Sequence, residues 1–573
     1  MKRILLILFG VLSTLHGWAC TNYLVSRGAS VDGSTMITYA ADSHIRYGEL
    51  YFSPAREWPA GSMVTIYDRG TAKPLGQIPQ VSRTYQTVGF INEHQVSVGE
   101  STFGGREELV DTTGIMDYAY LMFLSLQRSR TAREAIKVMA DLVSSYGYAS
   151  SGESFSIGDP NEVWILEMIG KGTEMRTDRK GTAFNAMKGA VWVAVRIPDG
   201  YVSAHANHAR ITTIPKADGR RVITDKQWDR LMMPELEVIY SHDVISFARS
   251  KGYFSGKDED FSFSDVYAPL DFGAARFCEL RVWAMFNHIS DEMDQYWNYA
   301  TGIVKSPRMP LFIKPKRKLS VHDLISFKRD YLQGTELDMS QDAGAGAFGL
   351  PYRWRPLTWK YDDKEYFHER VTVTQQTGFS YVAQMRSWLP GHVGGIIWFG
   401  VDDAGQSVHV PFYAGITRVP LQWSEGYGDI LTYVDDAAFW VFNRVAHFVY
   451  LFYNRTIPDV RQVQSELEQQ FRDAVASTDQ KALELYNQDP QKARELLTEV
   501  SSGLATETLN RWTSLGHFLL VKYLDGNVKQ EKNGTFIRNP WGYPASPKHP
   551  GYPDGFKRVI VNETGDKFLH PSH

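Results

Sequence analysis

The chain has 573 residues, of which 43% are hydrophobic and 22% are charged, and its formal net charge is −4. This composition is typical of a soluble globular protein. The near balance of 61 basic and 65 acidic residues argues against a nucleic-acid partner, whose binding surface requires a basic excess. Two cysteines are too few for a disulfide scaffold or a four-thiolate zinc site.

Residues 1–19 have the features of an export signal. A short basic start precedes an apolar run over residues 4–12, and Gly17 and Ala19 lie three and one positions before Cys20. Signal peptidases cut after such a pattern. We therefore predict that residues 1–19 are removed and that the protein is exported to the periplasm or the extracellular space. No later apolar run is long enough to predict a membrane span.

Cys20 at a free N-terminus would carry its own general base. An α-amine titrates at about 7.7–8.0 and a free thiol at about 8.5, so the amine can take the thiol proton near neutral pH. Two other interpretations stay open: the lipid-modified cysteine of an anchored lipoprotein, or a buried cysteine without chemistry. Gly17 and the bulky Trp18 fit a lipoprotein signal poorly, because such signals usually have Leu at the position of Gly17.

The residues after Cys20 predict two short strands, 20–25 and 35–39, around a turn at residues 28–33. This hairpin returns the chain, and Asp42 with it, toward Cys20. Alternatively, Asp42 is a capping or turn aspartate.

The Cys-Thr pair at residues 20–21, the run Ala-Ser-Val-Asp-Gly-Ser-Thr-Met-Ile at 29–37 and Asp42 resemble the start of the secreted or cytoplasmic cysteine dipeptidases. This family belongs to the N-terminal-nucleophile hydrolases and is related to choloylglycine hydrolases and penicillin V acylases. Later motifs extend the resemblance over residues 20–450. It implies that Cys20 is the nucleophile, that Asp42 holds the α-amine by a charge-assisted bond, and that no metal or organic cofactor is used.

Tyr39 departs from the family pattern, in which an Arg usually stands three residues before the Asp. Either another cation stabilises the thiolate, or Tyr39 forms a hydrogen bond instead. Residues 92–106 resemble the second family motif, and Thr102 falls where the related acylases have an oxyanion-hole asparagine. A hydroxyl or backbone amide at this position could also donate to an oxyanion. Glu100 is a candidate for binding a substrate ammonium, with a surface carboxylate as the alternative.

Two helices are predicted over residues 114–128 and 131–146, and Thr131 with Glu134 has the spacing of a capping box. Strand patterns follow at residues 154–157, 163–168, 190–197 and 201–204. Strands, two helices and strands again is the order expected for two sheets between helix layers. We predict an α+β fold, a four-layer αββα sandwich of the N-terminal-nucleophile hydrolase type.

The segment around Asn207 contains two histidines, His205 and His208, which could suggest a metal site. No carboxylate lies between them, as it does in the helical zinc motif. The resemblance instead assigns Asn207 as the oxyanion-hole donor, which would stabilise the oxyanion by roughly 3 kcal/mol.

A further family likeness lies around Arg276, where the related acylases have a small residue followed by Arg and Phe. The resemblance places Arg276 near the nucleophile, where its guanidinium could lower the pKa of the thiol. A structural salt bridge is the alternative. The apolar neighbours of Cys278 predict an ordinary core thiol.

Residues 344–349 match a glycine-rich dinucleotide fingerprint in isolation, but no strand clearly precedes them, and we predict a loop. Three strands are predicted at 379–386, 394–401 and 407–413. After residue 437 the pattern is helical, with helices at 459–477, 480–487, 490–501 and 506–524. We therefore predict a hydrolase domain over residues 20–436 and a helical C-terminal region over 437–573.

These patterns predict a secreted cysteine dipeptidase that hydrolyses short peptides through a thioester on Cys20. One alternative is an acylase of the choloylglycine or penicillin V type, because the catalytic residues are shared. The other is a surface lipoprotein that binds peptides or glycans. The sequence leaves open a homo-oligomer.

Overall fold

The computed structural model describes residues 20–572. The predicted export signal lies outside the described residues, so its removal stays a prediction. The strands are β1 (Asn22–Val25), β2 (Thr35–Asp42), β3 (Phe52–Ser53), β4 (Arg56–Glu57), β5 (Met63–Tyr67), β6 (Pro74–Pro79), β7 (Arg83–Thr84), β8 (Thr87–Val88), β9 (Ile91–Asn92), β10 (Ser97–Gly104), β11 (Gly152–Gly158), β12 (Val163–Gly170), β13 (Met175–Thr177), β14 (Ala183–Asn185), β15 (Ala190–Arg196), β16 (Val202–His205), β17 (Val222–Thr224), β18 (Val238–Tyr240), β19 (Phe312–Ile313), β20 (Thr358–Tyr361), β21 (Lys364–Phe367), β22 (Thr377–Met385), β23 (Ile396–Val401), β24 (Val410–Tyr413), β25 (Glu531–Lys532) and β26 (Thr535–Phe536).

Helices follow the first strands and dominate the C-terminal part of the chain. They are α1 (Tyr118–Arg128), α2 (Ala132–Tyr146), α3 (Val244–Ser250), α4 (Phe263–Tyr267), α5 (Leu280–Asn287), α6 (Trp297–Ala300), α7 (Val321–Phe327), α8 (Gly391–Gly394), α9 (Ala438–Leu451), α10 (Tyr453–Gln488), α11 (Pro490–Lys522) and α12 (Asp554–Thr564). A π-helical turn over Ala274–Glu279 leads directly into α5.

A seven-stranded sheet, in the order β19-β16-β1-β2-β22-β23-β24, encloses the first strand of the described chain. Strand β1 is antiparallel to β16, with Asn22 opposite His205, and to β2, with Leu24 opposite Ile37. All four residues of β1 are buried. Cys20 therefore comes directly before a strand that is paired on both edges inside the sheet.

The second sheet has nine strands in the order β17-β18-β15-β12-β11-β10-β9-β8-β3. Its central strands β10, β11, β12 and β15 pair antiparallel with their neighbours. All residues of β11 and β12 are buried, so both faces of this part of the sheet are covered.

The two sheets pack on each other, because β1 and β2 contact β10, β11 and β12. Helices α1 and α2 lie against the nine-stranded sheet, while α9 and α11 lie against β23 and β24 of the other sheet. The structure thus mixes sheets and helices and confirms the α+β class.

The two helices predicted after the second motif are confirmed as α1 and α2. Thr131 is the N-cap of α2, and its hydroxyl accepts a hydrogen bond from the Glu134 N–H at 3.2 Å. This bond satisfies one of the N–H groups that the first helical turn leaves without a partner.

The C-terminal helices are longer than predicted. The sequence predicted separate helices at 459–477 and 480–487, whereas α10 runs through both. The polar residues at the expected break have tertiary partners: Asp479 pairs with Arg386 and accepts from Tyr413 Oη at 2.8 Å. Tertiary contacts therefore override the weak local helix propensity. Helix α11 likewise joins two predicted helices.

The glycine-rich segment predicted as a loop forms two short 3-10 turns over Ala343–Phe348, separated by a kink at Gly346. Within residues 20–572, no helix is long and apolar enough to cross a bilayer.

Candidate active site

Cys20 is held at the entrance to β1 through both of its backbone groups. Its N–H donates to Asn207 Oδ1 at 2.9 Å, and its carbonyl accepts from Arg281 Nη1 at 2.7 Å. The residue is 3% exposed. The backbone of Cys20 is thus fixed, and the thiol is enclosed by protein.

The thiol faces an acidic and phenolic environment. Cys20 Sγ lies 3.6 Å from Glu100 Oε1 and 3.9 Å from Tyr39 Oη, and the Tyr39 hydroxyl donates to the same carboxylate oxygen. Burial raises the pKa of the Cys20 thiol well above its usual value, and the negative charge of Glu100 raises it further. A thiolate in this setting requires a base and a compensating cation.

Glu100 has a second carboxyl group beside it, that of Glu153. The β10–β11 register sets Thr102 opposite Glu153, and the Thr102 hydroxyl donates to Glu153 Oε2 at 2.9 Å. Burial and the neighbouring Glu100 raise the pKa of Glu153 well above its usual value. We therefore describe the two groups as one coupled pair of carboxyl groups, in which each charge disfavours the other.

Asn207 joins the nucleophile to the nine-stranded sheet. Its φ of 60° is in the left-handed region, which asparagine tolerates better than most residues. Its Nδ2 donates to the Thr102 carbonyl at 2.7 Å, and its Oδ1 accepts from Arg281 Nη2 at 2.9 Å as well as from Cys20. The amide that was predicted as an oxyanion donor therefore contacts the Cys20 nitrogen through its oxygen.

The two histidines flanking Asn207 have protein partners. The ring nitrogens of His205 lie 2.6 Å from Ser101 Oγ and 2.7 Å from Ser156 Oγ, and burial lowers the pKa of His205 to about 3. His208 Nδ1 lies 3.0 Å from Glu279 Oε1. Within the part of the chain that the structure describes, no group of three or more His, Cys, Asp or Glu residues is placed to hold a metal ion.

Asp42 contacts Cys20 through its backbone. The backbone N–H of Asp42 favours the thiolate and opposes part of the rise in the pKa of Cys20. The Asp42 carboxylate accepts from Arg370 Nη2 at 2.6 Å and from Thr377 Oγ1 at 2.7 Å. The hydrogen bond expected between this carboxylate and the Cys20 nitrogen is made instead by Asn207.

The arginine that contacts Cys20 is Arg281, not Arg276. Arg281 bonds the Cys20 carbonyl and the Thr21 hydroxyl, both at 2.7 Å. Arg276 forms a two-pronged ion pair with Glu369, with Nη2–Oε1 at 2.6 Å. Arg276 therefore forms a structural salt bridge, which is the alternative that the sequence left open, and Arg281 makes the contact that was expected of Arg276.

Sequence reasoning missed a further cation, Lys328. This buried side chain lies 3.5 Å from the Thr21 carbonyl, and burial lowers its pKa to about 7, against the opposing charges of Asp42 and Cys20. Cys278, like Cys20, is a free thiol, and burial raises its pKa.

The chain matches Peptidase family C69 over residues 54–466, which is most of its length. It therefore belongs to this family and to the peptidases. The matched range includes Asn207 and Arg281 and begins after Cys20 and Asp42.

Individual relatives are similar over most of the chain. A probable dipeptidase of Latilactobacillus sakei is 24% identical over 485 residues, which cover 81% of this chain and 88% of the relative. A probable dipeptidase of Salmonella dublin is 23% identical, covering 70% of this chain and 81% of the relative. Dipeptidase A of Lactobacillus helveticus is 20% identical, covering 70% and 77%.

Proposed function

We propose that the protein is an exported dipeptidase whose nucleophile is Cys20, made N-terminal by removal of residues 1–19. The observation that carries this proposal is the position of Cys20. Its nitrogen bonds Asn207 Oδ1 at 2.9 Å while its buried thiol faces Glu100. The names of the relatives support a dipeptide substrate. The two packed sheets with helices against each support the four-layer arrangement of the N-terminal-nucleophile hydrolases.

In the proposed reaction, the α-amine of Cys20 takes the thiol proton, and Sγ attacks the scissile carbonyl carbon. The C–N bond then breaks, the amine returns the proton to the leaving nitrogen, and the acyl group remains as a thioester. Water adds to the thioester, releasing the second product and restoring the thiol. The amine can be this base because Asn207 holds it and because it is only two bonds from the Cβ of Cys20, which carries the thiol.

The cations around Cys20 would stabilise its thiolate. Burial and three carboxyl groups disfavour the Cys20 thiolate, so positive charge must offset them. The free amine becomes an ammonium when it takes the thiol proton, and Arg281 supplies a fixed guanidinium 2.7 Å from the Cys20 carbonyl. Arg281 also fixes Asn207 Oδ1 at 2.9 Å and therefore the direction of its amide.

The two carboxyl groups of Glu100 and Glu153, here called the acid pair, would account for a preference for peptides with a free amino terminus. In an amino acid residue, the α-nitrogen is about 2.5 Å from the carbonyl carbon. An ammonium therefore lies within a few ångströms of Sγ during attack, and Glu100 Oε1 is 3.6 Å from Sγ. We assign the Glu100 carboxylate to this ammonium, with Tyr39 and Thr102 positioning the pair through their hydroxyl groups.

The test compares two cysteine variants on free dipeptides. Cys20→Ser should lower kcat by at least about 10³-fold, because serine's hydroxyl is far less acidic than a thiol. Cys278→Ser is the matched control and should retain activity. Equal losses in both variants would indicate a packing role and contradict the proposal.

The role of the amine needs a separate test. N-terminal sequencing of exported protein should begin with Cys-Thr-Asn, and an intact mass without a diacylglycerol adduct should distinguish the enzyme from a lipid-anchored protein. A variant that keeps one extra residue before Cys20 should be inactive; if it is active, the amine is not the base. Faster cleavage of N-acetylated peptides, bile-acid conjugates or penicillin V would favour an acylase.

A further inference from the structure

A cleft of about 430 Å³ lies beside the candidate active site. One wall is the segment that follows β2, Ser43 and His44, and another is the loop with Trp354 and Arg355. The third wall is helix α9 of the C-terminal helical region, through side chains such as Trp440. The cleft is therefore bounded by both parts of the chain.

The lining of the cleft reaches the immediate surroundings of the nucleophile. Thr377 lines the cleft and donates to the Asp42 carboxylate at 2.7 Å. Asp42 in turn acts on the Cys20 thiol and shifts its pKa. Ser43, the next residue after Asp42, is part of the lining. A substrate attacked by Cys20 thus has this cleft beside it, next to Asp42.

The cleft is electropositive. Arg46 and Arg355 line it, and Arg355 Nε donates to the neutral side chain of Gln376 at 2.9 Å. Burial lowers the pKa of His44, and the charge of Arg355 lowers it further. Asp402 is an acid of the lining, and burial raises its pKa well above its usual value. Burial thus disfavours a negative charge on this carboxyl group, whereas two arginines line the same cleft.

The walls formed by the Trp354 loop and by α9 carry aromatic side chains and are together called the aromatic wall. Trp354 is 59% exposed and packs edge-on against Tyr450 of α9, with ring centroids 5.7 Å apart. Phe439 and Trp440 also line the cleft. Exposed tryptophan at the mouth of a cleft is suited to cover an apolar side chain that enters it.

We propose that this cleft binds the leaving-group half of the substrate, with Arg355 pairing with the free C-terminal carboxylate and the aromatic wall covering a bulky C-terminal side chain. This inference rests on the proposed dipeptidase function. In a dipeptide the carboxylate carbon is only two bonds beyond the leaving nitrogen, so its counter-charge must lie close to the nucleophile. An arginine fork matches a carboxylate in geometry and charge. The acid pair and Arg355 would then recognise the two ends of one dipeptide.

The experiment measures kcat/KM for a dipeptide and for the same dipeptide as its C-terminal amide. The wild-type protein should prefer the free acid. Arg355→Gln should lower kcat/KM for the acid by about 10- to 100-fold and leave the amide within about twofold. Lys360→Gln, which removes an exposed cation from the same segment without touching the cleft, should change neither.

Binding gives a second readout that does not depend on turnover. Calorimetry with the Cys20→Ser protein should show weaker binding of the dipeptide when Arg355→Gln is added, with no change for the amide. If Arg355→Gln affects acid and amide equally, or the wild type does not distinguish them, the inference is overturned while the dipeptidase function stands. If the wild type cleaves neither peptide, the proposed function itself fails.

The aromatic wall is tested with the same assay. Trp354→Ala should reduce the preference for phenylalanine over glycine at the C-terminal position, through a higher KM for the phenylalanine peptide. An unchanged preference would remove the aromatic wall from the proposal and leave the carboxylate site to be judged by Arg355 alone.

Discussion

At the scale of single residues, the acid pair of Glu100 and Glu153 beside the thiol places the strongest constraint on the chemistry. Two buried carboxyl groups cannot both ionise at close range without a large cost. Burial and the charge of Glu100 disfavour the ionised form of Glu153 and raise its pKa, and the Thr102 hydroxyl donates to its Oε2 at 2.9 Å. On the proposed function, Glu100 is the member of the pair that supplies a negative charge beside Cys20.

The assignment predicts different effects for the two glutamates. Glu153→Gln should keep kcat/KM for free dipeptides within about threefold near pH 7, because the amide keeps the size of the carboxyl group and leaves the charge of Glu100 in place. Glu100→Gln removes the charge and should lower kcat/KM by at least about tenfold, which is a loss of about 1.4 kcal/mol. Equal effects in the two variants would contradict the division of roles.

The pH dependence of stability gives the same assignment a second test. The pKa of Glu153 is higher in the folded protein than its ordinary value of 4.5, so the folded state binds more protons above that pH. Stability from this group is present below pH 4.5 and is lost as the pH rises toward the folded-state pKa. The Tm of Glu153→Gln should therefore fall less than that of the wild type between about pH 5 and pH 8.

Sequence motifs located the site residues that lie near one another in the chain. Cys20, Tyr39 and Asp42 belong to one hairpin, and the strand pairing of β1 with β2 brings them together. Glu153 and Arg370 have no motif of their own. Glu153 reaches the site through the β10–β11 register, and Arg370 reaches it through its bond to Asp42, from which it is 328 residues distant in the chain. A single sequence does not reveal which strands pair or in which register.

At the scale of elements, the π-helical turn before α5 decides which arginine reaches the nucleophile. Arg276 lies within this turn and pairs with Glu369, whereas Arg281 is the second residue of the helix that follows and bonds the Cys20 carbonyl. The family likeness correctly indicated the segment. It could not indicate the side that each arginine faces, because a π turn changes the angular offset between them.

The geometry predicts that Arg281→Met lowers kcat for dipeptides by at least about 100-fold, since the backbone of Cys20 and the Asn207 amide both lose a donor. The matched variant Arg276→Met should cost stability while keeping kcat within about fivefold, because its partner Glu369 is left unpaired. Thermal unfolding and steady-state kinetics on both proteins separate the two outcomes. A larger loss of kcat in Arg276→Met would restore the role first expected of that residue.

At the scale of the whole molecule, the C-terminal helices bury large side chains against the sheet that carries Cys20. Trp512 of α11 is fully buried, and its ring lies 4.7 Å from that of Phe442 in α9. Phe442 in turn packs against Trp423. The sequence predicted the helices from their periodicity, but the contacts that join them to the sheet are aromatic and long-range, and periodicity does not specify a partner.

Trp512→Ala should lower the free energy of unfolding by about 3–5 kcal/mol, because it leaves a cavity between α11 and α9. Trp541→Ala, at a site 83% exposed, should change it by less than about 0.5 kcal/mol. Chemical denaturation followed by circular dichroism measures both. Activity in Trp512→Ala should fall only as the folded fraction falls; a loss of kcat in the fully folded variant would mean that α11 acts on the site directly.

The hydrogen bond from the Cys20 N–H to Asn207 has a consequence for when activity begins. The acceptor for the future amine already stands 2.9 Å from the nitrogen in the full-length chain, where that nitrogen still belongs to a peptide bond. On the proposed mechanism the full-length chain is therefore a zymogen, in which the residues around Cys20 are already in place and the base is masked as an amide. On the same proposal, a single cut after residue 19 unmasks the amine, and peptides inside the producing cell are spared until the protein is exported.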